Sequence, residues 1–344
     1  MIESSLHTSE PVALPGRPSG QVWRSVIGHT VLAALMIVAL QVFLPAVLLH
    51  CGLRNGRRSA WGAFAGAIVL VALFLGISAQ APGTTAEELR AAFASVAGVL
   101  LGLGLPTLMV LPMVQRAEAF GRVVATMLVT SIASLAVGEA VMRLAGISLF
   151  GEAVRQWQTV SAAWVQQYRA AKVPAEVIRF AEWVGGQSYL VVSSALTGFA
   201  LFVILSLLMV GRLRAWRERS AQKPEGGMPG VYLFRNFALP EWLLFAFVFG
   251  GLTPLVHGVL QKVTANVLVV VAMLYLLQGL AIFRSLLVAM GVGLFGTLIA
   301  WGLLVFLTSG IGMGLLGIAG LFDSFFHFRN FKKRKDDSHE GHSD

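Results

Sequence analysis

Residues 188–211 read SYLVVSSALTGFALFVILSLLMVG and contain no charged side chain. About 20 consecutive apolar residues are enough for a helix to cross a bilayer, so this stretch predicts a membrane-spanning helix. The whole chain has the same character, because 56% of its 344 residues are hydrophobic and only 12% are charged. A soluble domain carries about 25% charged residues. The composition therefore predicts an all-α protein, a bundle of transmembrane helices.

The apolar stretches predict nine membrane helices, since irregular backbone cannot face lipid and must lie in the segments between them. We place the helices at roughly 26–49, 60–78, 92–114, 123–144, 188–211, 241–260, 264–284, 290–308 and 311–327. The last two form one long apolar stretch, which we divide at Ser309–Gly310 because Ser and Gly favour a turn. As a single crossing, this stretch would leave eight helices.

Basic residues cluster between the apolar stretches, at 54–58, 116–122, 212–235 and 332–335. Clusters of this kind mark the cytoplasmic side of a membrane. Nine crossings place all four clusters on one side, which predicts an N-terminus outside and a cytoplasmic C-terminus. Residues 261–264 are then a short turn on the outer side.

The segments outside the membrane helices complete the predicted organisation. Residues 1–24 form a polar, disordered tail, 25–144 hold helices one to four, 145–187 lie outside, 188–327 hold helices five to nine, and 328–344 form a basic and then acidic tail. Between 150 and 184, apolar side chains recur every three or four residues on either side of Pro174, which predicts two amphipathic helices. This pair either lies on the outer membrane surface or caps the bundle, as a lid or as a substrate gate.

The sequence lacks the patterns of several function classes. The net charge of +9 comes mostly from helix-flanking clusters rather than from a basic face on a soluble domain, so we predict no nucleic-acid partner; the lipid bilayer is the expected surrounding. No P-loop or HExxH pattern is present, and the single Cys51 excludes an intrachain disulfide. We expect no enzymatic activity, no cofactor and no metal site. The GxGxxG patterns at 291–296 and 312–317 lie in apolar helices and predict close helix packing.

Four polar side chains within the predicted helices are candidate ligand-binding residues, because charge inside a bilayer is costly and is usually functional or paired. They are Glu139, Arg143, His257 and Gln278. The first two are four residues apart, so they also suit an ion pair that neutralises both. Together the four predict an outward-facing pocket for a small polar ligand.

A second polar pair is predicted near the inner side of the membrane. Arg284 ends the seventh predicted helix and Asp323 lies near the end of the ninth. Because their surroundings are apolar, we expect a structural ion pair between them, with Arg329 as the alternative partner for Asp323.

The C-terminal third contains four motifs that resemble a known family. They are Leu233–Trp242, Asn266 with the Val and Leu residues after it, Leu274–Ala281 and Gly320–Arg329. This set resembles the YybS-like family of uncharacterised bacterial membrane proteins, which is distantly similar to the substrate-binding S subunits of energy-coupling-factor transporters. The resemblance implies a helical core in the bacterial inner membrane that captures a small molecule. It also implies two partners, an ATPase and a coupling membrane subunit.

S subunits often present Ala-x-x-x-Ala on their first helix, whereas here the spacing occurs on the second, at Ala63 and Ala67. Two functions follow from the sequence. The first is a small-molecule-binding subunit of a transporter, and the alternative is a non-enzymatic membrane scaffold or assembly factor. A pocket near the middle of the membrane lined by Gln278 and Glu139 favours the first, and a solid core there favours the second.

Overall fold

The computed structural model describes residues 19–212 and 232–326, and every regular element in these ranges is a helix, as the sequence predicts. The α-helices are α1 Ser19–Val38, α2 Leu44–Asn55, α3 Arg57–Ser78, α4 Ala86–Val99, α5 Leu105–Gln115, α6 Phe120–Leu144, α7 Leu149–Ala170, α8 Ala175–Gly186, α9 Val191–Val210, α10 Leu243–Gly251, α11 Val259–Ala289 and α12 Leu294–Phe326. A π-helical turn, Leu100–Gly104, joins α4 to α5. Short 3₁₀ turns lie at Gln41–Phe43, Ser188–Leu190, Phe234–Asn236 and Thr253–Leu255.

Five helical segments of the described ranges are long and apolar enough to cross a membrane. They are Arg57–Ser78, Ala86–Gln115, Phe120–Leu144, Ser188–Val210 and Val259–Ala289. Each coincides with one of the nine predicted helices, with shifted ends. Three shorter apolar helices accompany them, at Trp23–Val38, Leu243–Leu255 and Gly312–Phe326. The prediction of nine spans is not confirmed.

The predicted first helix, 26–49, is wrong, because this stretch forms a hairpin of α1 and α2. Asn55 Nδ2 donates to Ser25 Oγ over 2.9 Å, and the rings of His29 and His50 stack 5.3 Å apart. Contacts between 25 and 55 and between 29 and 50 require the two helices to run antiparallel. Pro45 lies in the first turn of α2. Backbone N–H groups in a first turn have no partner within the helix, so the N–H that proline lacks costs no hydrogen bond. The chain therefore returns to the side from which α1 enters.

Two further predicted boundaries in the C-terminal half are wrong. The predicted helix 241–260 ends early, because α10 stops at Gly251 and the turn that follows contains Pro254 and Gly258, the latter at φ 68°. Residues 261–264 are consequently the first turns of α11 rather than a loop. The predicted turn at 309–310 does not occur, since α12 is one helix from Leu294 to Phe326.

The observation that α12 is a single helix affects the prediction of a cytoplasmic C-terminus. That prediction depended on two crossings between 290 and 327, and the structure has one helix there. The basic cluster 332–335, on which the prediction also depended, lies outside the described residues. The division into nine crossings therefore loses its main support in this part of the chain.

Serine side chains on α6 bind the carbonyl groups that the π-helical turn leaves free. Pro106 has no N–H to give to the Gly102 carbonyl oxygen four residues earlier, and Ser131 Oγ donates to that oxygen instead, over 2.7 Å. Ser134 Oγ donates in the same way to the Leu101 oxygen. These two bonds satisfy buried backbone groups and fix α6 against the α4–α5 helix.

Basic side chains gather at one end of the bundle. Gln115 Nε2 donates to the Gly52 carbonyl oxygen over 3.2 Å, so the end of α5, followed by Arg116, lies beside the end of α2, which carries Arg54. Gly121, beside Arg122, contacts the segment that contains Arg235. We call this the basic end.

The segment 232–242 packs into the bundle at the basic end. The Phe120 ring makes edge-to-face contacts with Tyr232 and Phe237, at centroid distances of 5.6 and 5.1 Å. A Cβ on Gly121 would lie 1.8 Å from the Ala238 carbonyl oxygen, so only glycine permits this approach. The segment is therefore held close to α6, and it leads directly into α10.

Candidate functional site

An apolar cavity of about 540 Å³, open on one side, lies between α6, α9, α10 and α11. Most of its wall comes from residues spaced three or four apart on two helices, including Leu128 and Ile132 on α6 and Val263 and Val267 on α11. Cavities that bind small molecules typically measure about 300–1,000 Å³ and have mostly apolar walls. The size and the lining of this cavity therefore suit a ligand.

The two ends of the apolar cavity differ in chemistry. Lys262, in the first turn of α11, is the one charged residue among the described lining residues, and Asn266 lies one turn further along the helix. Trp242 and Leu274 line the part nearest the basic end. We call the end at Lys262 the mouth.

The Asn266 amide holds α11 against the start of α9. Its Nδ2 donates to the carbonyl oxygens of Tyr189 and Lys262, over 3.0 and 2.8 Å, and its Oδ1 accepts from the Ser193 N–H over 2.9 Å. Both amide hydrogens are therefore used within the protein. Asn266 positions the mouth and has no hydrogen left to offer a ligand.

Glu139 joins the end of α6 to the start of α7. Its Oε1 accepts from Arg143 Nε over 2.5 Å and from Ser148 Oγ over 2.8 Å, and its Oε2 accepts from the Phe150 N–H over 3.1 Å. The carboxylate is buried, whereas Arg143 is largely exposed. Because the Phe150 side chain lines the apolar cavity, Glu139 positions part of its wall.

Gln278 holds another part of the cavity wall in place, near the basic end. Its Oε1 accepts from the Leu239 N–H over 2.9 Å, and its Nε2 donates to Asp323 Oδ2 over 3.3 Å. The Gln278 side chain is only 1% exposed. It fixes the segment before α10, and Trp242 of that segment lines the cavity.

The structure does not bring the four predicted binding residues into one pocket. The Gly121 contact with Ala238 places Gln278, which binds the next residue Leu239, near the start of α6. Glu139 lies eighteen residues further along α6, about 27 Å away at 1.5 Å per residue. Glu139 pairs with Arg143, while Gln278 belongs to a separate network. The expected polar pocket is replaced by an apolar cavity with a polar cluster beyond each end.

The remaining predicted residues, His257, Arg284 and Asp323, do not line the apolar cavity. His257 is exposed in the turn before α11. Asp323 is buried and accepts from Gln278, and its ion pair with Arg284 stays a prediction. No group of three or more His, Cys, Asp or Glu side chains that could hold a metal ion occurs in the described ranges.

Comparison with known proteins identifies the family. A sequence model described as "Predicted membrane protein (DUF2232)" matches residues 26–324, which include every helix around the apolar cavity. The chain belongs to this family. No curated protein and no solved structure matches the chain.

Two small-residue motifs of this DUF2232 chain differ in how closely they pack. Ala63 and Ala67 are fully buried among the chain's own helices, so they form no outward docking face. In the second GxGxxG pattern, a Cβ on Gly314 or Gly317 would meet no described atom within 4 Å. The close contact between α11 and α12 is made instead by Gly320 with Gly279.

Sequence reasoning missed Lys262 and the cavity that it borders. We treated 261–264 as a loop, where a lysine needs no explanation, whereas the structure places Lys262 on a helix facing an apolar cavity. The useful signal is the three- and four-residue spacing of apolar residues that continues from Val259 through Val263, Val267 and Val270 to Leu274.

Proposed function

We propose that this protein is the small-molecule-binding subunit of a membrane transport system, and that its ligand is largely apolar. The apolar cavity between α6, α9, α10 and α11 carries this proposal. A scaffold that acts only through closely packed helix faces would need no such cavity between its helices, because membrane helices normally pack closely.

Support also comes from the way the walls are held. Glu139 fixes Phe150 near the mouth, and Gln278 fixes the segment of Trp242 near the opposite end. Buried polar groups with satisfied hydrogen bonds make a cavity rigid before the ligand arrives, which lowers the entropic cost of binding.

We further propose that the basic end faces the cytoplasm of a bacterium and that the protein lies in the inner membrane. Clusters of Arg and Lys favour the cytoplasmic side. The start of α1 is then cytoplasmic, rather than outside as the single-crossing prediction had it, because Ser25 contacts Asn55. Lys262, Glu139 and the helical pair α7–α8 lie at the outer side.

In this proposal the chain binds and does not catalyse. Energy for transport comes from a partner ATPase through a coupling membrane subunit, since the sequence contains no P-loop. Purification of the tagged chain in mild detergent is expected to retain an ATPase. If instead the chain retains assembly partners and no small molecule, the scaffold alternative is favoured.

A matched pair of tryptophan variants tests the binding function. Val129 lines the cavity and Val137, two turns further along α6, does not, although both are exposed. Val129→Trp should fill the cavity and abolish retention of the small molecule detected by mass spectrometry of the purified protein. Val137→Trp should retain it. Equal retention by both variants would contradict the proposal.

A further inference from the structure

The chemistry of the cavity wall limits what kind of ligand it accepts. A small polar molecule needs several hydrogen-bond partners, and leaving its polar groups unpaired in an apolar site is costly. Asn266, the one amide side chain among the described lining residues, already uses both of its amide hydrogens within the protein, which leaves the indole N–H of Trp242 as the other uncharged donor of the wall. The wall therefore suits a ligand whose buried part is hydrocarbon.

The mouth, by contrast, suits a negative charge. Lys262 is exposed there, and no carboxylate of the described residues lies within ion-pair distance of it. Lys262 also belongs to the first turn of α11, which has no side-chain cap, so backbone N–H groups add positive potential at the same place. Val259 of that turn lines the cavity as well.

The length of the cavity matches one lipid tail. Lys262 and Leu274 are twelve residues apart on α11, about 18 Å at 1.5 Å per residue. One leaflet of the hydrocarbon core is about 15 Å thick, half of the usual 30 Å. An acyl chain with its head at Lys262 would therefore extend through the outer leaflet towards Trp242.

We propose that the ligand is an anionic amphiphile, a single acyl chain with a carboxylate or phosphate head that pairs with Lys262. This inference rests on the proposed function, because it names the ligand class of the same cavity. Lys262 selects the charge of the head, and the wall formed by α6, α10 and α11 selects the hydrocarbon chain.

The test uses the full chain in nanodiscs of phosphatidylcholine, with parinaric acid as a fluorescent probe and its methyl ester as the neutral probe. Wild type should bind the acid about tenfold more tightly than the ester, the value of one charge-assisted contact. Lys262→Gln should remove this preference, and Lys262→Arg should keep it. Lys172→Gln, at an exposed lysine between α7 and α8, is the matched control and should behave as wild type.

Competition distinguishes the two head groups. Half-displacement of the probe at a lower concentration of unlabelled oleate than of lysophosphatidylglycerol identifies a carboxylate head, and half-displacement at a lower concentration of lysophosphatidylglycerol identifies a phosphate head. This inference is overturned if acid and ester bind equally well, if Lys262→Gln leaves both affinities unchanged and if Val129→Trp abolishes binding. That result leaves the proposed function standing. Absence of binding in wild type, or binding that Val129→Trp does not affect, overturns both.

Discussion

Gly279→Ala and Gly320→Ala are each expected to lower the free energy of unfolding by about 3 kcal/mol, the upper part of the range for overpacked interiors. A Cβ on Gly279 would lie 1.9 Å from the Leu316 carbonyl oxygen, and a Cβ on Gly320 would lie 1.9 Å from the Tyr275 carbonyl oxygen. Backbone atoms cannot rotate away as a side chain can, so α11 and α12 must separate. Thermal and denaturant unfolding of the full chain in detergent measure the effect.

Two other glycines on α12 serve as controls. Gly314→Ala and Gly317→Ala place the Cβ where no described atom lies within 4 Å. Because alanine is a better helix former than glycine by about 1 kcal/mol, these two variants should be neutral or slightly stabilising. A loss of stability shared equally by all four variants would show that the crossing of α11 and α12 is not at Gly279 and Gly320.

Gln278→Glu should destabilise the protein by about 3–5 kcal/mol, the cost of leaving a buried charge without compensation. Glutamate can still accept the Leu239 N–H, but it replaces the Nε2 donor that faces Asp323 Oδ2 at 3.3 Å. Two carboxylates then face each other in a buried site. The unfolding midpoint of the variant reports this cost.

A second substitution makes the test specific. Asp323→Asn in the Gln278→Glu background restores a donor opposite an acceptor, so the double variant should recover much of the lost stability. Gln166→Glu, an identical change at an exposed position on α7, should have little effect. Failure of Asp323→Asn to rescue Gln278→Glu would contradict the network that holds the segment before α10.

The sequence predicts the regular spans well because each contains a long apolar stretch with at most two charged residues. The prediction at 188–211 differs from the described span Ser188–Val210 by one residue, and that at 123–144 by three. The positions at which one helix ends and the next begins are harder to predict. Pro45 lies in the first turn of α2 and Pro254 follows the end of α10, but prolines also occur inside membrane helices, as Pro112 does in α5.

The site could be predicted only in part. The Glu139–Arg143 pair follows from a four-residue spacing on one helix, which local geometry dictates. The partners of Gln278 are 39 and 45 residues away in sequence, and no local pattern specifies such contacts. A cavity depends on where helices fail to touch, which hydropathy along the chain does not describe.

Photolabelling tests most directly whether the apolar cavity binds an anionic amphiphile. A fatty acid with a diazirine on its chain is bound to the protein in nanodiscs, activated by light, and its adducts are located by mass spectrometry of peptides. We expect adducts concentrated on 125–136 and 259–274, displaced by unlabelled fatty acid and lost in Val129→Trp. Adducts equally dense on the exposed apolar face of α3 around 69–77, and not displaced, would contradict it.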